Sequence, residues 1–300
     1  MNKNDRKPSR SLFKRATDNL PPLALTERDL DILEIVEEYR LLNTPQIHAL
    51  INGHPRSLSN RLSALFHHGY LDRPILQLQL RIEEQSPLIY SLSKKGARVL
   101  SEKRLRHDLL ARVSRRVAQG KSPYLAHSVM VSQFRACLSL ACQERGDVAF
   151  TRWQIPERRL AQVVLAGYKV PVIPDAHFSL SRDGHSVYFF LEADRGTMSH
   201  PRFLRKLRAY WALRQTQLEG FPVKAFRVLT ITTSAKRMGN LLDASRRADP
   251  NQTGSLMFYF TCEDTYSLEY PEVLLAPIWR SPGDDNVHSL LEGGKPASSR

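Results

Sequence analysis

Three acidic side chains crowd one stretch of this 300-residue chain. Asp175 lies in Val172-Ile173-Pro174-Asp175-Ala176, and Glu192 and Asp194 lie in Leu191-Glu192-Ala193-Asp194-Arg195-Gly196-Thr197. Between them runs Arg182-Asp183-Gly184-His185, and Asp-Gly is a strong signal for a two-residue hairpin turn. A turn centred there pairs Arg182 with His185 and, counted outward, sets Asp175 across from Glu192, with Cβ atoms about 5 Å apart. Asp194 points to the same face as Glu192 because side chains alternate along a strand. Like charges placed opposite one another destabilise a hairpin, so the three carboxylates require a cation or a raised pKa. Oxygen ligands suit Mg²⁺ or Mn²⁺, which can hold a phosphodiester and activate a water to cleave it. On this reading Asp175, Glu192 and Asp194 are metal ligands. The alternative is structural: Asp175 caps a strand while Glu192 and Asp194 pair with Arg195, Arg202 or Lys206.

The elements that must position these groups can be traced from periodicity. Extended runs at Val148 to Pro156, Val170 to Leu180, Val187 to Ala193 and Ala225 to Thr233 flank a helix from about Pro201 to Gln217, and a helix over 123 to 145 precedes them. The predicted order is αβββαβ. On the 201–217 helix Phe203, Leu207 and Trp211 form the core face. Arg202, Lys206 and Tyr210 fall at four-residue intervals and make a strip beside the carboxylates. Glu144, in the last turn of the preceding helix, could complete a metal site, although a Glu in that position is more often solvated.

The first hundred residues have a different pattern. Residues 1 to 22 mix Lys, Arg, Ser, Asn and Pro without an apolar period and read as a mobile basic arm. Thr26 with Asp29 three residues later is a capping box opening a first helix, and Thr44-Pro45 opens a second. A third, residues 56 to 68, buries Leu58, Leu62, Leu65 and Phe66 and turns Arg56, Ser59, Asn60, Arg61 and Ser63 outward. Two extended pieces, Ile75 to Leu80 and Leu88 to Ser91, read as a β-ribbon, and a helix restarts at Ser93-Lys94-Lys95-Gly96. Helix, helix, helix, hairpin, helix is the order of a winged helix-turn-helix, which lays its third helix in the major groove. The expected DNA contacts are therefore Arg56, Ser59, Asn60, Arg61 and Ser63 from that helix. Lys94 and Lys95 join them at the ribbon's exit, with Arg112, Arg115 and Arg116 from a basic linker helix over 103 to 121.

Composition supports a polyanionic partner. There are 44 Lys and Arg against 30 Asp and Glu, a net charge of +14, which favours nucleic acid. No apolar run is long enough to span a bilayer and the first residues hold no secretory signal, so a cytoplasmic protein without membrane contact is expected. Cys137, Cys142 and Cys262 lack metal or redox spacing and read as buried thiols, and the scattered His residues give no zinc pattern. The absence of a Gly-Lys-Ser/Thr phosphate loop, a Gly-x-Ser-x-Gly elbow and a His-x-His near Tyr excludes an ATPase, a hydrolase of that type and a relaxase proper.

Pro174-Asp175, then Glu192 a hairpin's length later, beside a helix carrying Lys206 and Tyr210, resembles the restriction-endonuclease-like fold. The motif of that fold is Pro-Asp, spacer, Asp or Glu, any residue, Lys. The winged helix followed by Pro174-Asp175-Ala176 and Leu191 to Thr197 also resembles the replication-relaxation family of plasmid and mobile-element proteins, over roughly residues 24 to 275. That resemblance implies DNA binding and a role in plasmid replication and in relaxing DNA for transfer. The chain departs from the nuclease motif at Asp194, where Lys should stand, and an acid cannot replace that cation. Lys206, or Lys169 from the preceding strand, would have to supply it.

The sequence thus predicts an α+β protein: a basic arm (1–22), a winged helix (23–102), a linker helix (103–121), a restriction-endonuclease-like domain (122–278) and a tail (279–300). Two functions stay open. One is a DNA-binding protein of a plasmid or mobile element that acts in replication and relaxation and nicks DNA with Mg²⁺ or Mn²⁺, using Asp175, Glu192, Asp194 and Lys206. The other is a winged-helix regulator or accessory factor with an inactive nuclease-like domain. The partners expected are double-stranded DNA, a relaxase or replication protein, and a second copy of the chain.

Overall fold

A computed structural model describes residues 10–16, 20–79, 87–106, 108–118, 125–156, 159–215, 226–248, 251 and 253–292. The fold is α+β and divides into two compact units, Met1–Ala136 and Cys137–Arg300.

Unit 1 opens with a 3-10 turn, Arg10–Phe13, followed by α1 (Glu27–Tyr39), β1 (Leu42–Asn43), α2 (Thr44–Leu50), α3 (Pro55–His67) and β2 (Leu71–Asp72). A 3-10 turn (Ile75–Gln79), β3 (Ile89–Leu92), α4 (Lys94–Lys103) and α5 (Leu109–Ala118) complete it, and α6 (Leu125–Arg145) crosses the division between the units. The starts of α1 and α2 follow from their caps. The Thr26 N–H donates to Asp29 Oδ2 at 2.6 Å. At α2 the cap is Asn43 rather than Thr44, in a reciprocal box with Gln46. The α3 stripe Leu58, Leu62, Leu65 and Phe66 is buried as its spacing dictates, and Leu33, Val36 and Ile47 are buried with it in the unit's core. At α4 the Ser93 hydroxyl accepts from the Gly96 N–H at 2.9 Å and donates to the Gly69 carbonyl at 2.6 Å. Gly96 is required there, because a Cβ would lie 2.2 Å from the Tyr70 carbonyl oxygen.

Three expectations for unit 1 are corrected. The stretch from Ile75 is a 3-10 turn, and the three-stranded sheet has the order β1-β3-β2. Gln77 explains the difference: its side-chain amide donates to the Ile89 carbonyl at 2.9 Å and accepts from the Ile89 N–H at 2.7 Å, standing in for a backbone partner. The element order is otherwise the helix, helix, helix, strand, helix expected from the sequence, and residues 80–86 of the expected ribbon lie outside the described residues. Residues 10–16 of the expected mobile arm lie along the unit, where Arg15 Nε donates to the Phe66 carbonyl at 3.0 Å and Arg73 donates to the Leu12 carbonyl at 2.9 Å. The linker helix is interrupted at 104–108, where Leu105 has φ 53°. Its arginines turn back onto α1: Arg104 pairs with Asp31, and Arg106 and Arg112 pair with buried Glu37.

Unit 2 contains β4 (Ala149–Gln154), β5 (Ala161–Leu165), β6 (Tyr168–Val172), β7 (Ala176–Arg182), β8 (His185–Asp194) and α7 (His200–Gln215). It continues through β9 (Phe226–Thr232), α8 (Ala235–Ser245), β10 (Phe258–Cys262), β11 (Trp279–Arg280) and β12 (Val287–His288). A seven-stranded sheet has the order β12-β11-β10-β9-β8-β7-β4, with β8, β9 and β10 parallel and the remaining pairs antiparallel. The last turns of α6 with β4, β7, β8, α7 and β9 give the αβββαβ order expected of a restriction-endonuclease-like domain. α7, α8 and the β5–β6 hairpin bury one face of the sheet, on a core that includes Phe190, Phe203, Leu207, Tyr210, Phe226 and Phe258.

Two features of unit 2 lie outside the sequence reading. The run from Val170 to Leu180 is two strands, because Pro174 has no N–H for a ladder and breaks it. The first strand pairs with β5 in a separate hairpin. The chain beyond 278 is no tail as far as residue 292: it adds β11 and β12 to the sheet, with Trp279 fully buried and its indole N–H donating to the Leu274 carbonyl at 3.0 Å.

Candidate functional site

The hairpin register is the one the Asp183-Gly184 turn dictates. Asp183 and Gly184 take φ 50° and 76°, as a type I′ turn requires. The ladder runs from Arg182↔His185 to Ala176↔Leu191, and one step further places Asp175 opposite Glu192. Asp175 is anchored at the strand end: its N–H donates to the Leu191 carbonyl at 2.9 Å, and its Oδ2 accepts from the Ala193 N–H at 2.8 Å.

Glu192 is 3% exposed. α7 delivers two partners one turn apart to its two oxygens: the Lys206 ammonium pairs with Oε2 and the Tyr210 hydroxyl donates to Oε1. Burial, aided by the neighbouring Asp175 charge, pushes the Glu192 carboxyl up to about 7 against the pull of Lys206 and Tyr210. Burial alone would lower Lys206, but Glu192 and Asp175 hold it above its ordinary value. Tyr210, buried beside a carboxylate, is raised well above the usual phenol range.

Asp194, 4% exposed, is held elsewhere. Arg237 from the first turn of α8 donates Nε to Oδ2 at 2.7 Å and Nη2 to Oδ1 at 3.2 Å. The Thr232 hydroxyl and the Gly196 N–H also donate to Oδ2, at 3.3 and 3.2 Å. Of the three carboxylates expected together, the structure brings two side by side. Asp175 and Glu192 meet beside Lys206, whereas a two-point guanidinium pair occupies both oxygens of Asp194. Among the described residues no group of three or more His, Cys, Asp or Glu is arranged to hold a metal. Carboxylate oxygens suit Mg²⁺ or Mn²⁺ by type, but Lys206 and Tyr210 take both oxygens of Glu192, as Arg237 takes both of Asp194. Of the structural pairings weighed as the alternative, Lys206 is present at Glu192, while Arg237 pairs with Asp194 in place of Arg195 or Arg202. Arg237 carries no motif in the sequence; only the parallel β8–β9 pairing, which sets Thr232 beside Asp194, brings its helix there. Glu144 is exposed, as expected for a solvated residue.

In unit 1 the expected DNA contacts separate into two groups. Arg56, Asn60 and Lys94 are exposed and make no hydrogen bond or ion pair among the described residues, and Ser63 is half-buried. The others are engaged within the unit. Arg61 forms a two-point pair with Asp29 and also donates to the Ala24 carbonyl. The hydrogen bonds from Arg61 and Thr26 outweigh the upward effect of burial and hold the Asp29 carboxyl below its ordinary value. Ser59 contacts His48 Nε2 at 3.1 Å. Lys95 donates to the His68 carbonyl at 2.9 Å and lies over the Tyr70 ring. Arg112 is spent on Glu37 and Asp108. The side chains of Arg115 and Arg116 lie outside the described residues. The three cysteines are free and buried, and no described helix is long and apolar enough to cross a membrane.

The model of one family, replication-relaxation, matches residues 33–229. Among solved structures the restriction endonuclease FokI is similar to this chain with a TM-score of 0.32 and 10% identity, over 84% of this chain. The match covers 45% of the FokI chain, so this protein spans less than half of that enzyme's length. No curated protein matches the chain.

Proposed function

Because the chain belongs to the replication-relaxation family, we propose that it binds double-stranded DNA of a plasmid or integrated mobile element and nicks it, acting in replication and in relaxation of that DNA for transfer. The observation that carries this reading is the Lys206 ammonium on Glu192, beside Asp175. The cation missing from the motif position, where Asp194 stands, is supplied from the next helix.

In this reading Asp175 and Glu192 would hold a Mg²⁺ or Mn²⁺ ion, which would supply Lewis-acid chemistry to the phosphodiester. The side chains do the rest. Tyr210 fixes the Glu192 carboxylate through its hydroxyl. Lys206, a quarter exposed, offers a fixed positive charge where negative charge builds on the phosphate. Arg237 keeps Asp194 out of the site, so the pair of carboxylates faces one cation instead of three acids facing each other.

Unit 1 supplies binding. It holds 23 of the 44 Lys and Arg and 13 of the 30 Asp and Glu, so it carries most of the net positive charge. Arg56 and Asn60 on α3 reach base edges and phosphate in a major groove, and Lys94 takes a phosphate. The Arg56→Ala, Lys94→Ala double variant is expected to bind a labelled duplex about tenfold more weakly, with a shallower salt dependence by about two counterions. Fluorescence anisotropy across a salt series measures both, and an unchanged affinity and slope would remove α3 from the interface. The cleavage half of the reading is tested by metal-dependent conversion of supercoiled plasmid to open circles.

An inactive, DNA-holding unit 2 is the second reading. It is favoured by one observation, the occupation of both Glu192 oxygens by Lys206 and Tyr210. Binding of origin DNA without nicking under any divalent cation distinguishes it. Under either reading a relaxase or replication protein is the partner in transfer, the protein works in the cytoplasm, and a second copy would read a second half-site.

A further inference from the structure

The β5–β6 hairpin has one occupied face and one open face. Ala161, Val163, Val170 and Val172 point inward and pack into the core shared with α7, the helix that carries Lys206. The outward face holds Gln162, Val164, Lys169 and Pro171, and Val164 lies directly across from Lys169. Two large hydrophobic residues stand well out in solvent, Tyr168 at 71% and Val164 at 64% exposure. Lys169 is exposed and makes no ion pair among the described residues. From position 158 to 174 the sequence contains Arg158, Arg159 and Lys169 and no acid. The chain then runs from β6 through Ile173, 47% exposed, straight into Pro174-Asp175. Asp175 lies seven positions after Tyr168, a reach of at most about 23 Å at the rise of an extended strand.

We propose that this hairpin is a DNA-gripping ribbon that lies in the major groove of the duplex next to the phosphodiester facing Asp175 and Glu192. The inference rests on the DNA-binding reading above and adds a second contact surface to it. The size fits, since the major groove, about 12 Å wide, admits a two-stranded ribbon. So does the chemistry. Lys169 meets a phosphate, and Val164, directly across from it on the same face, gives apolar contact to base edges such as the thymine methyl, while Tyr168, exposed at the turn across from Leu165, reaches the duplex from the end of the ribbon. The ribbon itself, residues 161–172, contains no acid to repel the backbone phosphates. Because the ribbon continues into Asp175 and packs on the helix bearing Lys206, its grip fixes the register of the duplex at the carboxylates.

The test uses the full chain and a fluorescein-labelled 30-base-pair duplex, comparing wild type with Tyr168→Ala, Lys169→Ala and the double variant. The double variant is expected to bind about tenfold more weakly, and Lys169→Ala to reduce the salt slope by about one counterion. Thermal unfolding should not move, because both side chains are exposed. Wild-type binding with unchanged affinity and slope in the double variant overturns the ribbon and leaves the DNA-binding reading standing. No binding by wild type overturns both. A photo-crosslinking residue, Tyr168→p-benzoylphenylalanine, gives an independent readout: attachment to the duplex supports the proposal, and attachment only to a second copy of the chain overturns it.

Discussion

On the proposed nuclease reading, replacing Lys206 with Met is expected to lower metal-dependent nicking of supercoiled DNA by about 10²- to 10³-fold, the loss typical when one preorganised donor to developing charge is removed. Duplex affinity is expected to change by less than about twofold, because the proposed binding rests on exposed cations elsewhere. The reason lies in the charge balance around Glu192. Lys206 is the cation that opposes burial and the Asp175 charge there, so without it the carboxyl rises further above about 7. An effect independent of cleavage follows. A carboxyl whose folded pKa exceeds its unfolded value contributes stability that is fully present below the unfolded value, 4.5, and is lost as pH rises through the folded one. Wild type without metal should therefore lose stability between about pH 4.5 and 7, and Lys206→Met should lose more over a window that extends higher. Urea unfolding at a series of pH values reads this directly. Equal slopes for the two proteins would show that Lys206 does not control Glu192.

Replacing Arg237 with Ala destabilises the protein by about 3 to 5 kcal/mol, the cost of leaving a buried charge without its partner. Asp194 is 3% exposed in its side chain and Arg237 17%, and the pair is joined at two points. Removal of the guanidinium leaves the carboxylate with the Thr232 hydroxyl and the Gly196 N–H alone. The bond from Arg237 to the Met198 carbonyl, at 2.7 Å, is lost too, and with it the tie between α8 and the loop before α7. Asp194→Asn in the Arg237→Ala background should recover part of the loss, because it removes the stranded charge. A double-mutant cycle by urea denaturation measures the coupling. A cost under about 1 kcal/mol for Arg237→Ala would mean that Asp194 has another partner and could turn toward Glu192.

The local parts of this structure were legible in the sequence and the distant parts were not. Asp183-Gly184 fixes its own turn by backbone conformation, so the Asp175–Glu192 juxtaposition could be counted outward from it. Thr26 with Asp29, and the α3 stripe, are likewise decided within a few residues. Lys206 and Tyr210 were found because a helix repeats every four residues, which put them on one face whatever that face met. The Arg61–Asp29 pair escaped because Asp29 had already been assigned as a cap, and nothing in a cap pattern reveals a second, tertiary partner. Arg237 escaped for a similar reason: parallel strands are joined through helices, so their register carries no turn signal. The β5–β6 hairpin turns at Ala166-Gly167 with both φ positive, but an Ala in that position advertises no turn, and the strand after it merged in the pattern with β7. Strands β10 to β12 are short or separated by irregular chain, which leaves no period long enough to read.

The central claim is the proposal that Asp175 and Glu192, with Lys206 paired to Glu192, form a strand-cleaving site. The most direct measurement follows supercoiled plasmid carrying the element's own origin, in Mg²⁺ or Mn²⁺, with wild type, Asp175→Ala and Glu192→Ala, while duplex binding is scored in parallel. The account predicts open circles with wild type, none with either variant, and binding retained by all three. Wild type that binds the origin and leaves it supercoiled, or variants that nick as fast as wild type, would contradict it.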